Sequence, residues 1–326
     1  MLMDSFGRIH DYLRISLTDV CNLRCNYCMP DDDYHFMHSD KLMKADEIFQ
    51  LASVFVSLGI KKIRLTGGEP LVRKDAGEII EKLASLPVAL TITTNGTRLH
   101  EHLDKLIKAN IQSINISLDT LDRNRFHLLT KRDSFEQVRD NIDLLLSNNI
   151  HPKINMVVMK GINEHEIMNF VEWTQHHPVH VRFIEFMPFS GNHWQREQVF
   201  TWQDILKQIE TKYRFTPLTK RPHDTAKHYQ IDGFNGTFAV ISTMSAPFCG
   251  DCNRIRLTAD GKIKNCLFSA TETDILSPFR KGEDIISIVR QNIYAKAKEL
   301  GGQFTSDLEK VEASHIQNRS MISIGG

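Results

Sequence analysis

No run of roughly 18 consecutive apolar residues occurs in the chain, so the sequence holds no helical membrane span. Net charge is missing as well. Forty Lys and Arg are balanced by 40 Asp and Glu, so no global field draws the molecule to nucleic acid or to an anionic membrane. An anionic ligand has to be met by a local basic cluster. Low-complexity tracts and repeats of 20–50 residues are also absent, which excludes solenoids and propellers. The first residues hold no apolar signal-peptide core, so the expected location is the cytoplasm, where thiols stay reduced. Cysteine is scarce, six in 326 residues, and its distribution is uneven. Cys21, Cys25 and Cys28 form one triplet; Cys249, Cys252 and Cys266 form another. Two odd triplets in a reducing compartment do not suit disulfides. What is present is ordinary for a globular chain: 41% hydrophobic and 25% charged residues, enough for a sizeable core.

Short β-branched runs alternate with amphipathic stretches. Strands are predicted at Leu13–Thr18, Lys62–Thr66, Ala89–Thr94, Ser113–Leu118, Ile154–Met159 and His180–Phe186. Between them, apolar residues at three- and four-residue spacing predict helices over Ala45–Leu58, Asp75–Ser85, Leu99–Ala109, Phe135–Asn148 and Glu164–His176. Six such units predict an α/β fold, a partial (β/α)6 TIM-like barrel over residues 1–190. Polar and Gly-rich residues gather where its strands end, as reactive groups do in such barrels. Residues 191–326 read as a smaller α+β region. Its predicted helix Trp202–Tyr213 precedes strands Lys227–Ile231, Thr237–Ser242, Arg254–Thr258 and Lys262–Lys264, then a long helix Asp284–Leu300. The final stretch from Gln303 reads as mobile, and the Asp31–Asp33 run as a solvated loop.

Cys21-x3-Cys25-x2-Cys28 places three thiolates just after the first strand. Three cysteines hold three irons of a four-iron cubane and leave the fourth open to a ligand. A zinc site completed by a histidine such as His35 is the alternative. The run Cys21-Asn22-Leu23-Arg24-Cys25-Asn26-Tyr27-Cys28 resembles the signature of the radical S-adenosylmethionine (SAM) superfamily. Gly67-Gly68-Glu69-Pro70, after the second strand, is similar to that superfamily's motif for the methionine amino group. By itself it reads equally as a βα turn. The resemblance implies a radical SAM barrel, a [4Fe-4S] cluster on the first triplet, and SAM bound by Tyr27, Gly68, Glu69, Ser117 and Met187.

Cys249-x2-Cys252-x13-Cys266 offers a second set of three thiolates, without the fourth cysteine a zinc ribbon needs. Arg254 and Arg256 share one face of the intervening strand. Guanidinium forks match phosphate oxygens, although a solvated strand face has the same pattern. This half of the chain is similar to the GTP 3′,8-cyclase family of molybdenum cofactor biosynthesis, as are the segments Tyr12–Ser16, Arg64–Leu71, Asn115–Asp119, Lys153–Asn155 and Arg182–Glu185. That resemblance implies a second [4Fe-4S] cluster on the second triplet. It assigns GTP to Arg14, Arg64, Thr93, Lys153, Arg254, Ile255 and Arg256. It further implies an external electron donor, a homodimer, and a cyclic pyranopterin monophosphate synthase acting on the product. The terminal Gly325-Gly326 would reach into the active site and serve radical generation. A peptide or sulfatase maturase of the same superfamily and a non-catalytic two-zinc protein are the competing readings.

Overall fold

The computed structural model describes residues 1–30, 34–304 and 307–325. Gly326 and the Asp31–Asp33 run lie outside the described residues. The first part of the chain alternates strand and helix: β1 (Tyr12–Ser16), α1 (Ala45–Ser57), β2 (Lys62–Thr66), α2 (Ala76–Ala84), β3 (Ala89–Thr94), α3 (Leu103–Lys108), β4 (Ser113–Ser117), α4 (Arg123–Thr130), α5 (Phe135–Ser147), β5 (Lys153–Val158), α6 (Ile167–His176) and β6 (His180–Glu185). There follow α7 (Trp202–Glu210), β7 (Thr216–Pro217), β8 (Lys227–Gln230), β9 (Thr237–Ile241), β10 (Arg254–Leu257), β11 (Lys262–Lys264), β12 (Thr273–Asp274), α8 (Leu276–Arg280), α9 (Ile286–Tyr294) and α10 (Met321–Ile324). Among the described residues, no helix is long and apolar enough to cross a membrane.

All the strands belong to one sheet, ordered β12-β11-β10-β1-β2-β3-β4-β5-β6-β9-β8-β7. The six predicted units supply its middle. The C-terminal region supplies both flanks: β10 pairs parallel with β1, and β9 pairs parallel with β6. Antiparallel strands then finish each side.

Alternation along the strands decides what each face holds. Leu13, Ile15, Ile63, Leu65, Ile92, Ile114, Ile154 and Phe183 are fully buried in the main core, under the helices. Helix α1 answers with Ile48, Leu51, Ala52 and Phe55, one stripe at helical spacing. Burying a side chain such as Phe55 contributes about 1.5–3 kcal/mol. Truncating it to alanine costs about 3–5 kcal/mol, because a cavity remains. The intervening residues on each strand, two apart like Arg14 and Tyr12, face the other way and are mostly polar. Parallel sheets are usually apolar on both faces. Here the inner face carries polar and charged side chains instead.

Two expectations are corrected. The predicted helix Asp284–Leu300 stops at Tyr294. Beyond it the chain turns so that Lys296 buries its ammonium against the Arg254 carbonyl, 2.8 Å away. The stretch from Gln303 is not loose throughout: residues 307–325 form short turns and α10, with Ile322 and Ile324 buried. Five elements went unpredicted: α4, β7, β12, α8 and α10. Helix α4 has Asp122 as its N-cap, accepting from the Arg125 amide at 2.7 Å, and ends on Lys131 in a left-handed conformation.

Candidate functional site

The first triplet sits in the loop after β1, at the C-terminal rim of the sheet. Helix α4 pins that loop: Arg24 N donates to Thr130 O at 2.9 Å and Asn26 N to Leu129 O at 3.0 Å. Within the loop, Cys28 N and Met29 N both donate to Cys25 O at 2.9 Å, which turns Cys25 and Cys28 inward together. The β2 rim closes against it. Gly68 N donates to Thr18 O at 2.7 Å, and a Cβ on Gly68 would lie 2.5 Å from Val20 O. Only glycine lets these two backbones meet.

The three thiols open onto a chamber of about 180 Å³, also lined by Tyr27, Gly68, Thr93, Ser117, Asp119 and Met187. Its ionisable neighbours are acidic. Burial raises Asp119 to about 6, although its carboxylate accepts from Val157 N at 2.8 Å and Tyr27 Oη at 2.7 Å. Burial likewise raises Glu69 to about 7, against bonds from Leu71 N (3.0 Å), Thr94 Oγ1 (2.7 Å) and Asn95 N (2.5 Å). Glu69 is thus enclosed behind the chamber and ties β2 to β3, rather than lining it. Burial, reinforced by Glu69, pushes the Cys21 thiol up to about 11, and Cys25 and Cys28 are pushed up too, burial again leading. Thiolates in such a setting need a strong cation at the sulfurs.

The second chamber, about 310 Å³, lies on the inner face of the sheet and is lined by Cys249, Cys252 and Cys266 and by seven cations: Arg14, Lys62, Arg64, Lys153, Arg182, Arg254 and Arg256. Strand register explains the crowding. Arg14 is the Cα partner of Arg256 on one side and of Arg64 on the other; Tyr12 likewise stands between Arg254 and Lys62. Strands lie about 4.8 Å apart. Like charges directly opposite are destabilising, so such a row is unfavourable until an anion bridges it. The cations show the strain: burial and then Arg182 lower Lys153 to about 8, burial and then Arg64 lower Arg182 to about 9, and burial and then Arg254 lower Arg256 to about 10. Tyr12 goes the other way from burial: Arg64, Arg14 and Lys62 outweigh it and bring the phenol down to about 7. Arg64 Nε donates to that phenol oxygen at 2.5 Å. Among the described residues, Arg254 Nε, Asn115 Oδ1 and His180 Nε2 are buried without a hydrogen-bond partner. All three residues line this chamber, as a site awaiting a polar ligand requires.

Cys252 contrasts with the first triplet. Burial raises it, but Arg254 and then Lys296 outweigh burial and lower it to about 6. The six thiols are free, and no three His, Cys, Asp or Glu side chains among the described residues close around a single-ion centre.

The two chambers share a wall. Thr93, Asn155, Ile184, Met187 and Met321 line both. The C-terminal tail runs along this wall. Gly325 O accepts a short hydrogen bond from Arg256, and a Cβ on Gly325 would lie 2.5 Å from Thr66 Oγ1. Gly325 also has φ +86°, a second reason for glycine there.

Most predicted site residues therefore converge. Tyr27, Gly68, Ser117 and Met187 line the first chamber; Arg14, Arg64, Lys153, Arg254 and Arg256 line the second; Thr93 lines both. Ile255 does not join them, because strand alternation turns its side chain into the core. Tyr12, Lys62, Asn155, His180, Arg182 and His228 were missed. The signal was available. Tyr12/Arg14, Lys62/Arg64, Lys153/Asn155 and His180/Arg182 are polar pairs two apart, the same pattern as Arg254/Arg256.

Residues 15–174 match the Radical SAM superfamily, and residues 179–301 match Molybdenum Cofactor Synthesis C. "GTP 3′,8-cyclase, mitochondrial" of Arabidopsis thaliana is 43% identical over 333 residues, covering 100% of this chain and 84% of that protein. "Molybdenum cofactor biosynthesis protein 1" of Dictyostelium discoideum is 42% identical over 335 residues, covering 100% of this chain but 52% of that protein, so the chain spans about half the length of that relative. The crystal structure of Streptococcus suis SuiB bound to S-adenosylmethionine has the same fold, with TM-score 0.65 at 14% identity over 97% of this chain and 78% of that one. With the thiol loop, the Gly68 contact and 43% identity to a protein named as a cyclase in agreement, the chain belongs to the radical SAM superfamily and, within it, to the GTP 3′,8-cyclase family.

Proposed function

We propose that the chain converts GTP to 3′,8-cyclo-7,8-dihydro-GTP, the step that opens molybdenum cofactor biosynthesis. The carrying observation is the shared wall: a thiol chamber with acidic neighbours stands against a thiol chamber lined by seven cations, and Thr93, Asn155 and Met187 face both.

Cys21, Cys25 and Cys28 would hold one [4Fe-4S] cluster; the buried thiols, pushed up and short of cations, fit iron ligation that removes their protons. When bound there, cluster and SAM supply a 5′-deoxyadenosyl radical able to abstract the ribose 3′ hydrogen. Gly68 offers backbone at close range to the methionine end of SAM. Ser117 and Tyr27 stand further along the same chamber wall.

The substrate side rests on the arginine row. Arg256, Arg14 and Arg64 present three guanidiniums from adjacent strands, a spacing suited to successive phosphates. Lys153 and Arg182 extend the row toward β6. Cys249, Cys252 and Cys266 would hold the second cluster. Apolar Ile184, Met187 and Met321 close the shared wall and keep water from the reacting groups.

The test is anaerobic incubation with SAM, a low-potential reductant and GTP, read by product mass and cluster spectroscopy. A product isomeric with GTP and formation of 5′-deoxyadenosine are expected. SAM cleavage with no GTP-dependent product would overturn the substrate and favour a maturase.

A further inference from the structure

Lys296 is 3% exposed, and no ion pair to a carboxylate is made by it among the described residues. A buried ammonium without a counter-charge is costly, and its neighbours show what compensates it. Nζ donates to Arg254 O at 2.8 Å and to Cys252 Sγ at 3.5 Å, and faces His10 Nδ1 at 3.5 Å. An ammonium only donates, so His10 accepts on Nδ1 and carries its proton on Nε2, which donates to Asp4 Oδ2 at 3.0 Å. The turn after α9 is held in place from the N-terminus: Arg8 donates to Cys249 O (2.8 Å), Ala297 O (2.8 Å) and Lys298 O (2.6 Å). The same turn sends Leu300 N to Cys249 Sγ at 3.4 Å. Two sulfurs of the second triplet therefore take donors from one short segment, and one donor is the Lys296 ammonium, which burial disfavours and the Cys252 and Cys266 sulfurs favour.

Arg254, the other cation beside Cys252, lines the ligand chamber, and a bound polyphosphate would neutralise it. Lys296 lies behind the triplet and does not line that chamber. We propose that Lys296 is a positioning residue for Cys252 and a fixed cation that holds the second cluster at a more positive reduction potential, with or without substrate. This rests on the reading that the second triplet binds a cluster. Reduction adds one electron to a cluster already negative with its three thiolates. A nearby positive charge favours the more negative state, and hydrogen bonds to the sulfurs act in the same direction.

The experiment uses the full chain with Cys21, Cys25 and Cys28 replaced by serine, so that only the second triplet is loaded. Iron is counted, and the midpoint is read by an electron paramagnetic resonance redox titration with Lys296, Lys296→Met, Lys296→Gln and Lys296→Arg. With Lys296 present, about four irons per chain are expected. The neutral variants should titrate at a clearly more negative potential, and Lys296→Arg close to the parent. In the complementary chain, with Cys249, Cys252 and Cys266 replaced by serine, Lys296→Met should leave the midpoint of the first cluster unmoved. Absence of iron in the Lys296 parent would overturn the second-cluster reading itself. Iron bound with an unchanged midpoint overturns only the role of Lys296. Loss of iron in the neutral variants with retention in Lys296→Arg supports the charge requirement; loss in all three shows a packing role and overturns it.

Discussion

The two cysteine triplets carry the same number of thiols in opposite electrostatic settings. Glu69 and Asp119 stand by the first; Arg254 and Lys296 stand by the second. Cys21 is consequently pushed up to about 11, burial leading, while Cys252 is brought down to about 6 despite burial. The ligand residues do not distinguish the sites; the neighbours do. The acidic surroundings suit a cationic ligand such as a sulfonium. The cationic chamber suits a polyanion. One protein can thus keep two small molecules in order across one wall without confusing them.

The strongest way to break this comparison is to remove one thiol from each side. Cys28→Ser should abolish 5′-deoxyadenosine formation, by about a thousandfold or more, equivalent to about 4 kcal/mol. Cys252→Ser should leave SAM cleavage measurable while GTP-dependent product disappears. Equal loss of SAM cleavage in both would show that the chambers do not divide the work.

The next effect is charge. Arg14→Met should weaken GTP binding roughly 10- to 100-fold, the loss of a charge-assisted contact worth about 1.5–3 kcal/mol, and leave SAM affinity unchanged. Titration calorimetry at two salt concentrations checks both ligands. A matching loss for SAM would merge the two sites.

A pH test sharpens the acidic side. Burial raises the folded-state pKa of Glu69 from 4.5 to about 7, so the folded protein holds that proton more tightly than the unfolded chain. The stability this group contributes is therefore fully present below about 4.5 and is lost as pH rises through 7, by on the order of 3 kcal/mol. Glu69→Gln should flatten that dependence in denaturant unfolding of the metal-free protein. It should also cost about 1–3 kcal/mol at low pH, because an amide nitrogen would face backbone donors. An unchanged slope would show that Glu69 does not carry it.

The smallest expected effect concerns the tail that runs between the chambers. Arg319 makes two 2.9 Å bonds to the Asp260 carboxylate and one of 2.5 Å to Glu272. Arg319→Ala should loosen the tail by about 1 kcal/mol, since the pair is part-exposed. Hydrogen exchange at 320–325 should rise several-fold. Unchanged protection would show that Ile322 and Ile324 seat the tail by themselves.

Much of this arrangement was legible in the sequence because the information is local. Short β-branched runs located β2, β3 and β11 to the residue and β1, β4, β5, β6, β8, β9 and β10 within one or two positions, while the two-residue strands β7 and β12 gave no such signal. Strand β1 ends at Ser16 rather than Thr18: Leu17 N still donates to Thr66 O, and beyond it Thr18 O accepts from Gly68 N on the β2 rim. The cysteine spacing gave both triplets. What escaped depends on distant partners. Helix α4 buries little beyond Phe126, Leu129 and Thr130, so its apolar pattern is too thin to register. The turn after α9 holds Lys296 against the Arg254 carbonyl, 42 positions away along the chain. The tail looked loose because its few apolar residues pack on Phe186, Met244 and Phe268, a cluster no local window contains. Ile255 was swept in with its arginine neighbours although alternation turns it inward.

The pairing of β10 with β1 and of β9 with β6 has a consequence for how the chain is made. Until residues 237–257 are available, both sides of the six-strand array present unpaired backbone. Open strand edges of this kind invite pairing with other chains. A fragment that stops after β6 should therefore associate and precipitate, and a nascent chain at that length is at its most vulnerable. The strand that brings Arg254 and Arg256 to the second chamber is also the one that seals the edge beside β1.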